Sequence, residues 1–369
     1  MLKNHQTRVW ESIFDQCYLK ASEASDKFQN FTGWQSSYTG KPILKNEMKS
    51  WVNETVSRIQ QLRPKKIYEI GAGAGLIMFP LLDDCEHYCA TDLSSESINY
   101  LKQYTPPQYR HVEFAQKSAD DATSFGESNY DTFILNSVVQ YFPSLSYLEE
   151  VITNIVEKVA SGGTIFIGDV RNLKYLEAFH TSVEIYKASE TDGQELLREK
   201  IQNRIANDVE LSVDPAFFMG LKDKFPRIRY VEMKIKNGII QNELTKFRYD
   251  VLLHIDKEHP KRLHEVQWDS DRETLRQEVL ELKVPFVIKN VPNYSVNGDF
   301  KAMEILQANE EVPINELKSL IGFDTASQKW KDIYDLLPEG SRVELTLEVD
   351  DPNLCSMMVR PYAQDVIVS

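Results

Sequence analysis

The stretch KKIYEIGAGAGLIMFPLLDD, residues 65–84, joins a short β-rich run to a helix-like segment through three glycines on alternate positions, Gly71, Gly73 and Gly75. Glycine permits a tight turn with positive φ and lets a ligand approach the backbone closely. In α/β proteins, nucleotide-like ligands bind where a strand runs into glycines and then into a helix. The stretch therefore predicts an α/β domain with a ligand crevice at its first strand.

Strand-like and helix-like segments alternate after this stretch. Strands are predicted at HYCATDL, VEFAQ, YDTFILNSV and GGTIFIGDV, and helices at SSESINYLKQY, capped by Ser94 or Ser95, and SLSYLEEVITNIVEKV. This alternation predicts a Rossmann-like α/β fold with a mostly parallel sheet and helices on both faces. The runs RYVEMKIKNG and RYDVLLHI read as a β-hairpin that completes a seven-stranded sheet.

Changes in the pattern divide the chain into three regions. Residues 1–60 read as an N-terminal helical lid region and residues 61–258 as the ligand-binding core. Residues 259–369 read as a small C-terminal α+β appendage, in which KVPFVIKNVPNYSV places two prolines in an apolar run and RVELTLEVD is a predicted strand. We therefore expect function to reside in the central region.

Charge and cysteine content exclude several classes of function. The net charge of −14 disfavours nucleic acid and anionic membrane surfaces, since binders of phosphate backbones gather Lys and Arg. No apolar run approaches the span of a bilayer, and the polar start of the chain does not resemble a signal peptide. The four cysteines are too scattered for a disulfide framework, and no metal site is expected, so we predict a cytoplasmic protein.

Carboxylates at the strand ends select the ligand. Glu69 precedes the glycines, where it would repel a pyrophosphate and suit a cationic amino group. Asp92 ends the second strand, where a carboxylate accepts both hydroxyls of a ribose, and SADD at 118–121 follows the third strand, near an adenine amine. Together they predict S-adenosylmethionine, which has a sulfonium, an amino-acid tail and no phosphate. The alternatives are an NAD-binding Rossmann-like domain and a sheet without a ligand.

The predicted cofactor-binding residues follow the first four strands or lie in the lid region. They are Tyr38, Glu69, Gly71, Ala72, Gly73, Asp92, Leu93, Ala119, Asp120, Asn136, Ser137, Gln140 and Tyr141.

Five long motifs resemble the methyltransferase domains embedded in nonribosomal peptide synthetases. They are FTGWQSSYTGKPILKNEMKSWVNETV, LNSVVQYFPSLSYL, GDVRNLKYLEAFHTSVEIYKA, DPAFFMGLKDKFPRI and NELTKFRYDVLLH, in this order. The resemblance implies a class I, S-adenosylmethionine-dependent methyltransferase. It also implies an aminoacyl or peptidyl thioester on the phosphopantetheine arm of a peptidyl carrier protein as the substrate, with adjoining synthetase domains as partners. Whether the chain is one domain of a longer enzyme or a stand-alone relative stays open.

Five residues are candidates for the chemistry. An amine acceptor needs only a modest base, because part of it is neutral at pH 7, whereas a hydroxyl needs stronger help. His180 and Glu243 are a candidate base pair, and Glu243 is predicted to begin a strand. The full candidate set is His180, Glu243, Tyr38, Arg171 and Asn172. Each candidate also has a structural interpretation. His180 could be a packed histidine, Glu243 a surface acid and Tyr38 a core tyrosine. Arg171 could form a structural ion pair with Asp169.

We expect methyl transfer to the α-amino nitrogen of a carrier-bound residue. O-methylation of a hydroxyl or C-methylation would use the same pair of residues, and a catalytically silent structural domain is the alternative from another class. A basic segment, Lys222, Lys224, Arg227 and Arg229, is a candidate docking surface for an acidic carrier protein or a solvated face.

Overall fold

The computed structural model describes residues 10, 12, 13, 15, 16, 26–121, 129–269, 271–308 and 310–361. The described chain forms two compact units. Unit 1 comprises residues up to Arg171 together with Val209–Glu232 and Asp250–His259, and unit 2 comprises Asn172–Asp208, Met233–Tyr249 and the rest. The predicted division at residues 60 and 258 stays a prediction, and part of the predicted lid lies outside the described residues.

The strands are β1 (Lys66–Ile70), β2 (His87–Asp92), β3 (Val112–Gln116), β4 (Thr132–Asn136), β5 (Thr164–Arg171), β6 (Ile228–Ile235), β7 (Arg248–Ile255), β8 (His264–Gln267), β9 (Phe286–Pro292), β10 (Arg342–Leu347) and β11 (Leu354–Arg360). The helices are α1 (Lys45–Gln61), α2 (Met78–Leu81), α3 (Ser95–Tyr104), α4 (Leu145–Lys158), α5 (Leu176–Lys187), α6 (Gln194–Ala206), α7 (Pro215–Lys224), α8 (Glu243–Lys246), α9 (Arg272–Glu281), α10 (Asn297–Gln307), α11 (Ile314–Leu320) and α12 (Phe323–Tyr334).

Unit 1 is a Rossmann-like α/β fold. Its strands follow the order β3-β2-β1-β4-β5-β7-β6, and the pairs among the first five are parallel. Strands β1, β4 and β5 are almost wholly buried, as expected for a parallel sheet covered on both faces. The predicted strands β1–β5 and the adjacency of β6 and β7 are confirmed.

Local signals explain the helices that flank the strands. Ser94 caps α3, because its Oγ accepts a hydrogen bond from the Ser97 amide at 3.2 Å, and this matches one of the two predicted caps. Ser144 caps α4 in the same way. The helix predicted after the glycines is shorter than expected. It consists of the four residues of α2, and Pro80 lies in this single turn. No helix among the described residues is both long enough and apolar enough to span a bilayer.

Unit 2 has a mixed α+β structure. Its helices α5, α6, α10 and α11 share a core that includes Ile185, Leu197 and Leu317. Strand β10 pairs with the end of β6 and with β11, and β11 pairs with β9, all antiparallel. The described residues thus hold eleven strands: β1–β7 match the seven predicted for the core, β10 matches the strand predicted at RVELTLEVD, and β8, β9 and β11 are additional. Strand β9 escaped prediction because two prolines interrupt its apolar run.

Candidate functional site

A cavity of about 370 Å³ opens in unit 1 at the carboxyl ends of the parallel strands. Strand β1 lies between β2 and β4, so the strand order reverses there, and open α/β sheets bind their ligands outside such a reversal. The walls of the cavity come from the ends of β1, β2, β3 and β4 and from the segment before α1. Its central lining residues are Asn30, Trp34, Trp51, Glu69, Gly71, Gly73, Asp92, Ala119, Asn136, Ser137, Tyr141 and Glu210.

The glycine loop forms the floor of the cavity. Gly71, Gly73 and Gly75 all adopt positive φ, between 55° and 77°, a region that other residues rarely occupy. A Cβ on Gly71 would lie 2.3 Å from Val138 Cγ2, so only glycine leaves room for the loop after β4. The amides of Gly71 and Ala72 both donate to the Thr91 carbonyl, which fixes the loop against β2.

Glu69 presents a buried carboxylate to the cavity. The side chain is 2% exposed, and Tyr88 donates its hydroxyl proton to Glu69 Oε2 at 2.7 Å. Burial raises the pKa of Glu69 to about 7, the hydrogen bond from Tyr88 opposes this shift, and the nearby charge of Asp92 adds to it. A cationic ligand next to Glu69 would lower the pKa of this carboxyl and so favour its ionised form.

Asp92 is oriented by backbone donors on both oxygens. The Gly73 amide donates to Asp92 Oδ2 at 2.8 Å, and the Ser94 amide donates to Oδ1 at 2.9 Å. Burial raises the pKa of Asp92, and the two backbone hydrogen bonds oppose the shift. Because an ionised carboxylate offers about four lone-pair positions, the two backbone donors do not saturate it. This arrangement fits a pair of neighbouring hydroxyl groups.

The loop after β4 carries polar oxygens into the site. Asn136 Oδ1 and Gln140 Oε1 are buried and have no hydrogen-bond partner in the structure. Gly168 on β5 leaves the space that the Asn136 amide fills, since a Cβ there would lie 2.2 Å from Oδ1. Ser137 is half-buried, lines the cavity and has a φ of 56°. Such orphaned acceptors and strained residues concentrate at functional sites.

A buried network supports this loop from below. Ser137 donates its hydroxyl to Asp169 Oδ2, and the Trp51 indole donates to Oδ1 at 3.3 Å. The Asp169 amide donates to Asp250 Oδ1 at 2.8 Å, and Asp250 pairs with Arg58. Asp169 also has positive φ, 60°. Helix α1 and strands β5 and β7 therefore jointly fix the position of Ser137.

Aromatic side chains complete the walls. Trp34 packs on Trp51 with ring centroids 4.9 Å apart, and Trp10 packs on Tyr141 at 4.6 Å. Tyr147 donates its hydroxyl to Asp120 Oδ1 at 3.0 Å, which holds Asp120 at the edge of the site. The cavity thus offers apolar rings between a few fixed polar groups, the usual composition of small-molecule sites.

Most of the predicted cofactor residues meet at this cavity. Those that line it are Glu69, Gly71, Ala72, Gly73, Asp92, Leu93, Ala119, Asn136, Ser137 and Tyr141. Asp120 contacts the lining residue Tyr147, and Gln140 donates to the Ser137 carbonyl at 3.1 Å. Tyr38 is 4% exposed and is not among the lining residues. The roles of all these residues stay predictions.

The predicted catalytic residues divide between the units. Arg171, in unit 1, is buried and pairs with Glu210 at 3.2 Å, and Glu210 lines the cavity. Asn172 begins unit 2, where its Oδ1 accepts from the Lys174 amide and its buried Nδ2 has no partner. The Asp169 carboxylate, suggested as the partner of Arg171, accepts hydrogen bonds from Ser137 and Trp51.

His180 and Glu243 both lie in unit 2, and their pairing stays a prediction. His180 Nε2 lies 2.8 Å from Asp208 Oδ2, so the histidine contacts a carboxylate that the sequence reading missed. Glu243 begins helix α8 rather than a strand, so that prediction was wrong. The cause is a capping box, in which Asn242 and Thr245 bond each other's amides and start a helical turn. Glu243 is close to Lys187, whose pKa burial lowers, while this carboxylate opposes the shift.

Several lining residues escaped the sequence reading. Trp34 and Trp51 lie within the motif that begins FTGWQSSYTG, in which Tyr38 was the predicted site residue. No local sequence pattern marks Glu210. The spacing N-x-x-T at 242–245 would have revealed α8. Asp208 and Glu210 lie in an acidic stretch after α6 whose pairing depends on tertiary structure.

Comparison with known proteins identifies related sequences. Residues 68–165 match the family model described as a methyltransferase domain. Chondramide synthase of Chondromyces crocatus is 43% identical over 72% of this chain and 7% of its own length. A probable non-canonical nonribosomal peptide synthetase of Salinispora arenicola is 34% identical over 84% of this chain and 4% of its own, and enniatin synthase of Fusarium equiseti is 31% identical over 72% and 9%. The chain thus spans less than a tenth of these relatives. Among solved structures, an N-methyltransferase of Bradyrhizobium japonicum is 15% identical, with a TM-score of 0.39, over 56% of this chain and 87% of its own.

Proposed function

Because this chain belongs to the class I methyltransferase domains found in nonribosomal peptide synthetases, we propose that it methylates the α-amino nitrogen of a carrier-bound aminoacyl or peptidyl thioester. Its cofactor is S-adenosylmethionine. The observation that carries the proposal is the cavity of unit 1, where a buried acid, an oriented carboxylate and an open glycine loop surround one space.

The residues of the cavity fit the cofactor. The Glu69 carboxylate lines the cavity next to the glycine loop, where it would repel a pyrophosphate. Glu69 would hold the amino group of the methionine tail, and Asp92 would accept the two ribose hydroxyls. When bound, S-adenosylmethionine supplies a methyl group on a sulfonium, which is a good leaving group. The protein contributes alignment and the exclusion of water.

Nitrogen is the preferred acceptor because it needs the least help. An α-amine has a pKa near 8, so part of it is neutral at pH 7. The lining side chains offer hydrogen-bond acceptors at Asn136 and Ser137. The lysine among them, Lys117, pairs with Asp121 at 3.0 Å. These acceptors would orient the N–H groups of an amine. The relative described as enniatin synthase is compatible with this acceptor class but does not fix it. O-methylation is the second candidate, favoured only by the His180–Asp208 pair.

The carrier protein and adjoining synthetase domains are proposed partners. Two of the four basic residues suggested for docking are engaged within unit 1: Lys224 pairs with Glu149 at 2.8 Å, and Arg227 pairs with Asp256 at 2.8 Å. Lys222 and Arg229 remain for a carrier. A cytoplasmic location stays a prediction.

A carrier-loaded panel tests the proposal. Carrier proteins loaded with amino acids, or with the matching α-hydroxy acids, are incubated with the enzyme and methyl-labelled S-adenosylmethionine. The position of the label is found by fragment mass spectrometry. We expect label on the α-nitrogen and none on the hydroxy acids. Label on oxygen or carbon would contradict N-methylation, and no label with any substrate would favour the silent structural domain.

The predicted catalytic residues are tested in the same assay. His180→Ala and Glu243→Gln should each lower turnover at least tenfold if they act as predicted, because general bases contribute about 100-fold or more. Unchanged rates in both variants would contradict a catalytic role for His180 and Glu243. Asn172→Ala, Arg171→Met and Tyr38→Phe extend the series to the remaining candidates.

A further inference from the structure

Two side chains of the cavity network form a proton-accepting arrangement that the function above does not use. Ser137 lines the cavity and is half-buried, while Asp169 beneath it is 1% exposed. The Ser137 hydroxyl donates to Asp169 Oδ2. Because the hydroxyl proton is directed to the carboxylate, the lone pairs of Ser137 Oγ are left for another donor.

Both residues are held in an unfavourable backbone conformation. Ser137 has a φ of 56° and directly follows β4, whereas Asp169 has a φ of 60° and lies within β5, two residues before its end. Residues other than glycine adopt this region at a cost and persist there only where the surrounding structure holds them. The conformations place the two side chains against each other across β4 and β5.

The surroundings of Asp169 hold two arginines, Arg58 and Arg171, and three further carboxylates. Asp250 on β7 accepts a hydrogen bond from the Asp169 amide. Arg58 on α1 forms ion pairs with both Asp250 and Glu54. Also on α1, Trp51 donates its indole N–H to Asp169, and on β5 itself Arg171 pairs with Glu210. With Asp169 included, the four carboxylates outnumber the two arginines, so the cluster next to the Ser137 hydroxyl carries a net negative charge.

We propose that Ser137 and Asp169 form a dyad that takes the proton of the acceptor amine. In this step the ammonium N–H gives its proton to Ser137 Oγ, while the Ser137 hydroxyl proton moves to Asp169 Oδ2, so one proton is transferred in total. The freed nitrogen lone pair forms the N–C bond as the C–S bond of the donor breaks and its electron pair stays on sulfur. The proton on Asp169 returns to water after the product leaves. Ser137 is the catalytic residue, Asp169 is a positioning residue and proton store, and the inference rests on the proposed N-methyl transfer.

Binding measurements without the donor test the contact with the amine. The first probe is the amino acid that ranks first in the carrier-loaded panel, linked to pantetheine through an amide. The second probe is the same compound with hydrogen in place of its α-amine. By calorimetry at pH 8, the wild type should prefer the amine about tenfold or more, and Ser137→Gly should reduce that preference to less than about threefold. Glycine is chosen because it tolerates the positive φ.

The rate against pH tests the transfer of the proton. Ser137→Gly and Asp169→Asn should lower single-turnover methylation about 10- to 100-fold at pH 6.5, and the loss should shrink at pH 9, where the free amine has lost its proton. Asparagine also tolerates positive φ, so the backbone is retained. Ser161→Gly and Asp83→Asn, both outside the cavity, are the matched controls and should behave as the wild type.

The outcomes separate this inference from the function on which it rests. Loss of the amine preference in the binding measurement without the donor, together with a rate loss that shrinks at pH 9, supports the dyad. An unchanged amine preference, or a rate loss equal at pH 6.5 and pH 9, overturns the dyad while N-methylation stands. A panel in which no amine is methylated overturns both.

Discussion

Two regions around the cavity, the ends of β1 and β2 and the ends of β4 and β5, are held in place by different kinds of contact. At β1 and β2, glycines and backbone amides shape the site, and the partners of Asp92 lie within 19 residues of it. At β4 and β5, side chains shape it, and their partners are distant: Trp51 lies 118 residues before Asp169, and Arg58 lies 192 residues before Asp250. The first end is a local sequence motif that suits a cofactor common to a family. The second depends on tertiary structure and is where acceptor chemistry would be set.

The side-chain end should be the more fragile of the two. Arg58→Met leaves the buried carboxylate of Asp250 without its guanidinium partner, and loss of one member of a buried pair costs about 3–5 kcal/mol. We expect the free energy of unfolding, measured by denaturant titration with tryptophan fluorescence, to fall by that amount. Lys65→Met, which breaks an exposed pair with Glu86, is the control and should leave the midpoint unchanged. Equal effects of the two substitutions would show that the network does not stabilise the fold.

Near the glycine loop, the buried Glu69 should lower the stability of the fold at high pH and strengthen cofactor binding. The folded-state pKa of Glu69, about 7, lies above its ordinary value of 4.5. Its contribution to stability is therefore complete below pH 4.5 and is lost as pH rises through 7, by up to about 3 kcal/mol. Without cofactor at pH 8, Glu69→Gln should unfold at higher denaturant concentration than the wild type, yet bind S-adenosylmethionine more weakly. Glu113→Gln on exposed β3 should change neither, and a destabilised Glu69→Gln would contradict the assignment.

Two glycines with nearly equal φ separate backbone strain from steric fit. Gly71 (φ 77°) faces Val138, whereas nothing lies within 4 Å of the Cβ position of Gly162 (φ 79°). Gly162→Ala should cost about 1–2 kcal/mol for the left-handed conformation alone. Gly71→Ala should cost roughly 1–3 kcal/mol more, because its methyl group overlaps Val138. Thermal unfolding of both variants gives this difference, and equal melting temperatures would mean that the loop after β4 yields freely.

The smallest effect should come from the hydroxyl that supports Glu69. Tyr88→Phe removes the hydrogen bond that opposes the raised pKa of Glu69. The affinity for S-adenosylmethionine should rise with pH through about 7 in the wild type, and the midpoint should move to higher pH in the variant. The weakening at pH 7 should stay below about tenfold. Calorimetry across pH 6–9 measures it, and Tyr130→Phe, whose hydroxyl contacts His87, should keep the wild-type midpoint.

Sequence patterns predicted what short-range physics determines. Strands β1–β5, the Ser94 cap and the gathering of Glu69, Gly71 and Asp92 follow from alternation, capping and strand-end geometry, each visible within a few residues. The contacts of His180 with Asp208 and of Ser137 with Asp169 join residues far apart in the chain, and no local pattern specifies them. Glu243 was misplaced for another reason, since its apolar neighbours resemble a strand while its capping box starts a helix.

Titration of S-adenosylmethionine into the wild type and into Asp92→Ala tests the central claim most directly. The cavity should bind the cofactor in the wild type, and loss of a carboxylate that accepts two hydroxyls should weaken binding by about 100-fold or more, since each hydrogen bond to a charged group contributes about 1.5–3 kcal/mol. NAD should give no heat with either protein. Equal affinities in the wild type and Asp92→Ala, or tighter binding of NAD, would contradict the assignment of this cavity.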